Sequence, residues 1–344
     1  MPKPEYPDDT LEDDLYEDGE PGEVVEPAEE PLFRLVSGEG DGFMLGVAAG
    51  DTAGGASTLG YSAVAVQVTI IAYELIEHRQ LDYDRLVRAL LELDGAFDGE
   101  RVFRGESPEF RSWLDKAGTG QPLPVPSRSL DAAPRGVPLG VALRRQPEAV
   151  IAESVRLGRL FHSDASTVAA GVVAAAAAAA SCFAQIGRDF ITGTAEAVVP
   201  HIETIAAGLE EPQRLERLAA DFDRALAGIG VSSGPEALAR LEGDEDDPLT
   251  LVLAGLMLAA QRDVRFHLPV EQAARIGGSP LGATVGGWIG ARIGIRAWPW
   301  AFVNDTWFAE IGRRLVRGPD EVADLPIPYA VEHHLISGET PGFH

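Results

Sequence analysis

Residues 42–55 of this 344-residue chain read GFMLGVAAGDTAGG, with glycine at positions 42, 46, 50 and 54. Residues four apart lie on one face of an α-helix, so this spacing predicts a helix that has one face without side chains. A face of that kind allows a second backbone to approach closely. We therefore predict that another element packs directly against this helix, whose glycine-rich segment also carries Asp51.

The chain beyond residue 42 carries helix signals almost throughout. Asp82, Ser107 and Asp247 are residue types favoured at helix N-caps. Proline follows Ser107, Gln146 and Asp247, at what would be the first helical position, where its missing N–H costs nothing. These four positions are predicted helix starts, and the fold class is predicted to be all-α, a compact multi-helix bundle.

Two segments are apolar almost all the way round. Residues 168–186 contain seven consecutive alanines from Ala174, and residues 249–260 are rich in leucine. Alanine contributes little to membrane insertion and the second segment is too short to span a bilayer, so both are predicted to be central helices. The short candidates for strands are residues 32–36 and 102–103, and the proline-rich residues 118–134 are predicted to form a long loop.

The N-terminal residues 1–31 hold thirteen Asp or Glu residues, six prolines and one lysine. Such a segment buries too little apolar surface to offset the entropy of ordering, so it is predicted to be a disordered acidic tail. The globular domain is then predicted to span residues 32–325, followed by a C-terminal extension at 326–344. The tail is expected to be a solvated extension; the functional alternatives are attraction of a basic protein partner and a lid over a pocket.

The charge balance argues against several functional classes. With 28 Lys and Arg against 54 Asp and Glu, the formal net charge is −26, which leaves no basic surface for nucleic acid. We expect neither nucleic-acid nor membrane binding. Cys182 is the single cysteine, so no intramolecular disulfide forms, and the acidic N-terminus lacks the pattern of a secretory signal. A cytoplasmic location is expected.

Several segments, taken in order, resemble the ADP-ribosylglycohydrolase family, the all-α enzymes that remove ADP-ribose from modified proteins or small molecules, including the dinitrogenase reductase activating type. The resemblance covers about residues 42–317. Besides the glycine-rich segment quoted above, it rests on GYS at 60–62, AYELIEH at 72–78, RGVPLG at 135–140, His162 with the alanine-rich helix behind it, IGGS at 276–279, GWIGARIG at 287–294 and PW at 299–300.

The resemblance implies two-metal chemistry, in which carboxylates hold a pair of magnesium or manganese ions that orient the ribose and the attacking water. This chain lacks acids at the matching positions. The family's Thr-Asp-Asp-Thr motif falls on residues 62–65, which read SAVA here, and a further family Glu falls near Thr58. The family's Asp-x-Asp motif falls on Ser279 and Leu281, or on Gly277 and Ser279 if the alignment is shifted by two residues. No Asp or Glu occurs in residues 53–72 or 273–303. We therefore predict that the metal ligands, and with them the metal cofactor, have been lost.

Three arginines lie in or beside the second of these acid-free stretches, at Arg275, Arg292 and Arg296. A guanidinium close to the site would repel a divalent cation, and otherwise these side chains are expected at the surface. His162 and Asp164 are residue types that bind metals, but a lone pair at a helix start more often caps and packs, which is the role expected here.

Together these observations predict a pseudoenzyme without catalytic residues that binds ADP-ribose, a nucleotide or a protein partner. Asp51 is expected to be a hydrogen-bond acceptor inside its helix, beside Gly54. Two alternatives stay open: a working hydrolase that removes ADP-ribose with Asp51 or Asp164 as its only acid, and an interaction protein that acts through the acidic tail. The predicted ligand pocket is formed by Gly50, Asp51, Gly54, Arg135, His162, Gly277, Gly278 and Ser279.

Overall fold

A computed structural model gives the fold of this protein. It describes residues 40–55, 61–78, 80–96, 102–121, 123–261, 265–294, 303–317, 328 and 331–332. The predicted acidic tail and the strand candidate at residues 32–36 lie outside the described residues, as do Thr58 and Arg296.

Helices dominate the described part of the chain, which confirms the all-α fold class. Extended pairing among the described residues is limited to two isolated bridges, Val125 with His162 and Asp164 with Glu210. The helices are α1 (Phe43–Ala53), α2 (Ala63–His78), α3 (Tyr83–Asp94), α4 (Pro108–Gly118), α5 (Ala132–Ala142), α6 (Pro147–Phe161), α7 (Ala165–Cys182), α8 (Gly187–Val198), α9 (Ile202–Ala206), α10 (Leu218–Ala227), α11 (Gly234–Leu241), α12 (Pro248–Ala259), α13 (His267–Ile293) and α14 (Asp305–Arg317), with short 3-10 helices at Val199–His201 and Pro212–Arg217.

The four predicted helix starts are confirmed. The side chains of Asp82, Ser107 and Asp247 accept hydrogen bonds from backbone N–H groups in the first turns of α3, α4 and α12. Gln146 precedes α6 without a side-chain cap, and Pro147 occupies the first helical position there. These caps satisfy N–H groups that would otherwise lack a partner within the helix.

The glycine face of α1 packs against α13, the long helix near the end of the domain. A Cβ atom placed on Gly50 would lie 1.9 Å from the carbonyl oxygen of Gly282, a distance no side chain can occupy. The backbones of the two helices therefore touch directly, as the four-residue spacing predicts. Two further glycine pairs are equally close. A Cβ atom on Gly286 would lie 2.1 Å from the carbonyl oxygen of Gly46, and a Cβ atom on Gly290 would lie 2.2 Å from the carbonyl oxygen of Gly42.

The alanine-rich helix α7 lies at the centre of the domain, as predicted, with α5, α6, α8 and α12 around it. It approaches α5 through backbone as well, because a Cβ on Gly140 would lie 2.0 Å from the carbonyl of Ala175. By length and composition α7 could cross a membrane, but 89% of it is buried inside the protein. That burial is typical of a core helix in a globular domain.

Two predicted boundaries and one strand candidate are wrong. The helix expected over residues 168–186 is α7, which ends at Cys182. The loop expected over 118–134 is shorter, because α4 includes Gly118 and α5 begins at Ala132. Residues 102–103 lie in bends rather than a strand, and both side chains are buried. Proline caused the second error, since a proline in the first turn begins a helix as readily as it interrupts one.

Prediction for the α1–α13 contact. Gly50→Ala is expected to lower the free energy of unfolding by about 1–3 kcal/mol or more, because the new methyl group meets backbone that has no rotamer to change. Urea denaturation followed by circular dichroism measures this. Gly118→Ala is the matched control: its Cβ would lie 3.8 Å from Leu91 Cδ2, an ordinary contact, so stability should be unchanged or slightly raised. Equal effects of the two variants would contradict direct backbone packing.

Candidate functional site

The end of α1, the start of α2 and a kink in α13 meet at Asp51, whose side chain is buried. Its carboxylate accepts hydrogen bonds from the backbone N–H of Ser62 at 2.7 Å, the hydroxyl of Ser62 at 2.6 Å and the N–H of Ala65 at 3.1 Å. Asp51 therefore caps the N-terminus of a helix that lies next to its own. This role extends the expected one, which was limited to hydrogen bonding inside α1.

The remaining N–H groups at the start of α2 also have partners inside the chain. The N–H of Ala63 donates to the carbonyl of Arg104 at 2.7 Å, and the N–H of Val64 donates to the hydroxyl of Ser62 at 3.2 Å. A helix N-terminus attracts anions through its free N–H groups and its dipole. Here those N–H groups are already hydrogen bonded, and the carboxylate of Asp51 occupies the favourable position for an anion.

The kink in α13 completes this cluster. Gly278 has φ +62° and ψ −158°, a conformation that favours glycine, and Pro280 follows it. The kink directs the hydroxyl of Ser279 to the backbone carbonyl of Asp51, to which it donates at 3.0 Å. A Cβ on Gly54 would lie 2.4 Å from Ser279, so the two segments are in contact. Gly277 packs beside Leu130 instead.

Burial controls the ionisation of Asp51. Loss of water around the carboxylate raises its pKa above the ordinary value of 3.8, while the hydrogen bonds from Ser62 and Ala65 act in the opposite direction. The net effect is a raised pKa. A carboxyl group in this position is a weaker acid than in water, and its oxygens already accept hydrogen bonds from α2.

Arg135 and His162 belong to a second buried cluster, next to the first. Arg135 Nε donates to Gln67 Oε1 at 2.8 Å, and its Nη1 lies 3.0 Å from Nε2 of His162. The guanidinium lies 4.0 Å from the ring centroid of Phe161 and 3.8 Å from the carboxylate of Asp131. Helix α2 connects the two clusters, since its first turn binds Asp51 and Gln67 lies in its second turn.

The second cluster combines a buried cation with a neutral imidazole. Burial lowers the pKa of Arg135 to about 10, and burial together with the Arg135 charge lowers the pKa of His162 well below its usual range. His162 Nε2 faces a donor, so its Nδ1 carries the proton, and this atom makes no hydrogen bond to the described residues. A cavity of about 10 Å³, lined also by Ser154, adjoins it, which is room for one water molecule.

The predicted pocket residues thus divide between two hydrogen-bonded clusters. Gly50, Asp51, Gly54 and Ser279 lie together, with Gly277 and Gly278 on the kink beside them. Arg135 and His162 lie in the other cluster. Cavities large enough for a small molecule, of about 610, 300 and 250 Å³, are lined by other parts of the described chain.

The predicted positions of Asp164, Arg275 and Arg292 can be compared with the structure one by one. Asp164 caps α7, as expected, by accepting a hydrogen bond from the N–H of Thr167 at 2.8 Å. Arg275 is exposed, as expected. The expectation that Arg292 lies at the surface is wrong: it is buried and donates to the carbonyl of Ala259, at the end of α12. Terminal carbonyls of a helix are common partners of arginine, which explains the burial.

Sequence reasoning missed three polar residues of this region. Gln67 occupies the interior of an apolar helix, and a polar residue at such a position is the signal that could have indicated a buried partner. Tyr61 and Glu332 share a hydrogen bond of 3.0 Å across 271 positions of the chain. Nothing in a single sequence indicates a pair of that separation.

Prediction for Asp51. Asp51→Asn is expected to destabilise the fold by about 1–3 kcal/mol, because an amide replaces one acceptor oxygen and leaves a buried donor of α2 unpaired. The raised pKa means that the folded state binds this proton more strongly than the unfolded state. The contribution of Asp51 to stability is therefore greatest below about pH 3.8, where the carboxyl group is protonated, and declines as pH rises through the raised pKa. The difference in unfolding free energy between the wild type and Asp51→Asn should therefore become smaller over this pH range.

Chemical denaturation at a series of pH values measures this difference. Asp223→Asn is the control, because Asp223 is exposed on α10 and its substitution should change stability by less than about 0.5 kcal/mol at every pH. A deficit of Asp51→Asn that widens with rising pH would contradict the raised pKa.

Comparison with known proteins gives the family. The family model for ADP-ribosylglycohydrolase matches residues 41–324, which include all of α1 to α14. No curated protein sequence matches the chain. The matched range covers most of the chain and agrees with the all-α fold, so the protein belongs to the ADP-ribosylglycohydrolase family.

Proposed function

We propose that this protein is a member of the ADP-ribosylglycohydrolase family that acts by binding and does not catalyse metal-dependent hydrolysis. The observation that supports this proposal is the hydrogen bonding of Asp51. Its two carboxylate oxygens accept three hydrogen bonds from the start of α2. An acid engaged in this way holds two helices together and is poorly placed to hold a metal ion.

The residues around Asp51 do not fit a pair of magnesium or manganese ions. Such ions require several oxygen ligands, mostly carboxylates, around each metal. Among the described residues, no group of three or more His, Cys, Asp or Glu side chains is arranged to hold a metal. A cation at Asp51 would also face the hydrogens that Ser62 and Ala65 direct at the same oxygens.

The side chains at the positions that match the family's acids support the same proposal. Ala63, Val64 and Leu281 are buried, and their relative exposures are 0%, 6% and 0%. Clustered carboxylates repel one another and lose hydration when buried, so they are unfavourable once no cation is held. Apolar residues at all three positions are consistent with a core that has been filled after metal binding ceased.

The acids named for a hydrolase with a single carboxylate are both engaged in the fold. Asp51 caps α2, and Asp164 accepts hydrogen bonds from the N–H and the hydroxyl of Thr167. A general acid must reach the leaving group of its substrate. Both side chains are buried, with exposures of 1% and 5%. The geometry therefore supports a binding role over hydrolysis by either residue.

Two ligand classes fit the binding proposal: ADP-ribose or another nucleotide, and a protein partner. The family fold is kept, but retention of a fold does not by itself retain a ligand. The described cavities of about 610, 300 and 250 Å³ are lined by residues other than Asp51 and are candidate sites for a small molecule. A protein partner needs no such cavity.

Prediction for metal and substrate. Calorimetry on metal-stripped protein is expected to show no magnesium or manganese binding, and the melting temperature should not change with either ion at constant ionic strength. Release of ADP-ribose from an ADP-ribosylated protein should equal the background rate with or without metal. A metal-dependent family member run in parallel confirms that the assay works. Magnesium-dependent turnover would overturn the proposal.

The same calorimetry separates the ligand classes. Binding of ADP-ribose that is indifferent to magnesium would assign a nucleotide ligand, and no binding would assign the protein partner. Turnover without metal would instead support the single-acid hydrolase. Asp51→Asn and Asp164→Asn, compared under conditions where both stay folded, would then identify the acid.

Prediction for the acidic tail. If a basic protein partner binds residues 1–31, deletion of these residues should abolish that binding and leave any small-molecule binding unchanged. The binding should also weaken as salt is raised, since it depends on charge. Pull-down of the partner by the full-length and the shortened chain at low and high salt measures both. Equal capture by the two proteins would exclude the tail as the binding element.

A further inference from the structure

A third polar cluster lies beside the start of α2 and takes no part in the hydrogen bonding of Asp51. Tyr61, the residue before Ser62, donates its hydroxyl hydrogen to Glu332 Oε1 at 3.0 Å. Arg104 Nη1 donates to Glu332 Oε2 at 2.9 Å, and the guanidinium lies 5.5 Å from the centre of the Tyr61 ring. Asn304 donates to the Tyr61 oxygen at 3.0 Å. Glu332 is almost fully buried, at 1% exposure.

The guanidinium of Arg104 is only partly used. Its Nη1 binds Glu332, but Nε and Nη2 are buried and donate to no described residue. Nε and Nη2 lie on the same edge of the guanidinium and direct their hydrogens in parallel. Buried donors without a partner are rare and unfavourable, so a pair of them on one edge requires an explanation.

Arg111 shows what that edge binds when it is satisfied in this protein. Its Nε and Nη2 donate to the two carboxylate oxygens of Glu106, both at 2.7 Å. Its terminal nitrogens donate to the two oxygens of Asp94, both at 2.9 Å. Two oxygens carried on one atom are the match for the parallel donors of an arginine edge. Arg104 presents the same edge with no such group from the described chain.

We propose that Arg104 forms a binding site for a small-molecule oxyanion, a phosphate or a carboxylate, whose two oxygens accept hydrogen bonds from Nε and Nη2. This inference goes beyond the proposed function and does not depend on it, because the site shares no hydrogen bond with Asp51. The Arg104 side chain keeps 16% of its surface exposed, but Nε and Nη2 themselves are buried, so an anion reaches this edge only when the groups that cover it move aside.

Glu332 has two opposing effects on such a site. Its carboxylate holds Nη1 and so fixes the orientation of the guanidinium, which aims the unused edge. Its negative charge also lies close to the bound anion and opposes it. An anion therefore binds to a guanidinium whose charge is shared, and removal of the Glu332 charge should favour binding.

Titration of the full-length protein with inorganic phosphate, at constant ionic strength set with chloride, tests the proposal. Binding is followed by calorimetry and by the ¹⁵N-¹H signal of the Arg104 Nε–H. Arg104→Lys keeps the charge that Glu332 requires but removes the parallel donors, so phosphate affinity should fall about tenfold or more. Arg111→Lys is the matched control, because its edge is already occupied, and phosphate affinity should be unchanged.

Glu332→Gln provides the second arm. The amide keeps the size of the side chain and an acceptor for Arg104, while the competing charge is lost, so phosphate should bind about tenfold more tightly. Formate in place of phosphate distinguishes a carboxylate ligand from a phosphate ligand, and binding of either supports the site. Equal phosphate affinity of wild type and Arg104→Lys, no gain from Glu332→Gln, or an Nε–H signal that phosphate does not move would overturn the proposal.

Discussion

Direct backbone contact between α1 and α13 is the constraint on which the rest of this structure depends. Three pairs of glycines, from Gly42 with Gly290 to Gly50 with Gly282, bring backbone against backbone at three successive turns of the two helices. Glycine in a helix lowers its intrinsic stability, so these residues are tolerated only where close packing compensates. The contact places the C-terminal end of α1 against the kink of α13 and so brings Asp51 next to Ser279.

Asp51 links this pair of helices to a third helix, α2. Its carboxylate accepts hydrogen bonds from the first turn of α2, and the turn that follows brings Gln67 to Arg135. One buried acid thus holds the end of α1 against the first turn of α2. Hydrogen bonds from Ser62 and Ala65 occupy both carboxylate oxygens of Asp51, which is why the proposed role is binding.

Much of the fold could be predicted from the sequence, because it depends on local patterns. The glycines four apart predict the close contact of α1, the caps at Asp82, Ser107 and Asp247 predict helix starts, and the alanine run predicts a central helix. The candidate site was harder. Arg135 and His162 were predicted to share one pocket floor with Asp51, and the structure adds a hydrogen bond from Arg135 to Gln67 that no local pattern predicts. The burial of Arg292 depends on where α12 ends, and the pair of Tyr61 with Glu332 depends on chain segments far apart in sequence.

The glycine contact also limits how this protein can respond to a ligand. Helices that meet through side chains adapt by changing rotamers, which lets one packed layer slide over another by small steps. At the three glycine pairs between α1 and α13 there are no rotamers to change, so the two helices resist sliding over each other there. A ligand that displaced either helix would therefore have to displace both, together with Asp51 and the first turn of α2 that Asp51 caps.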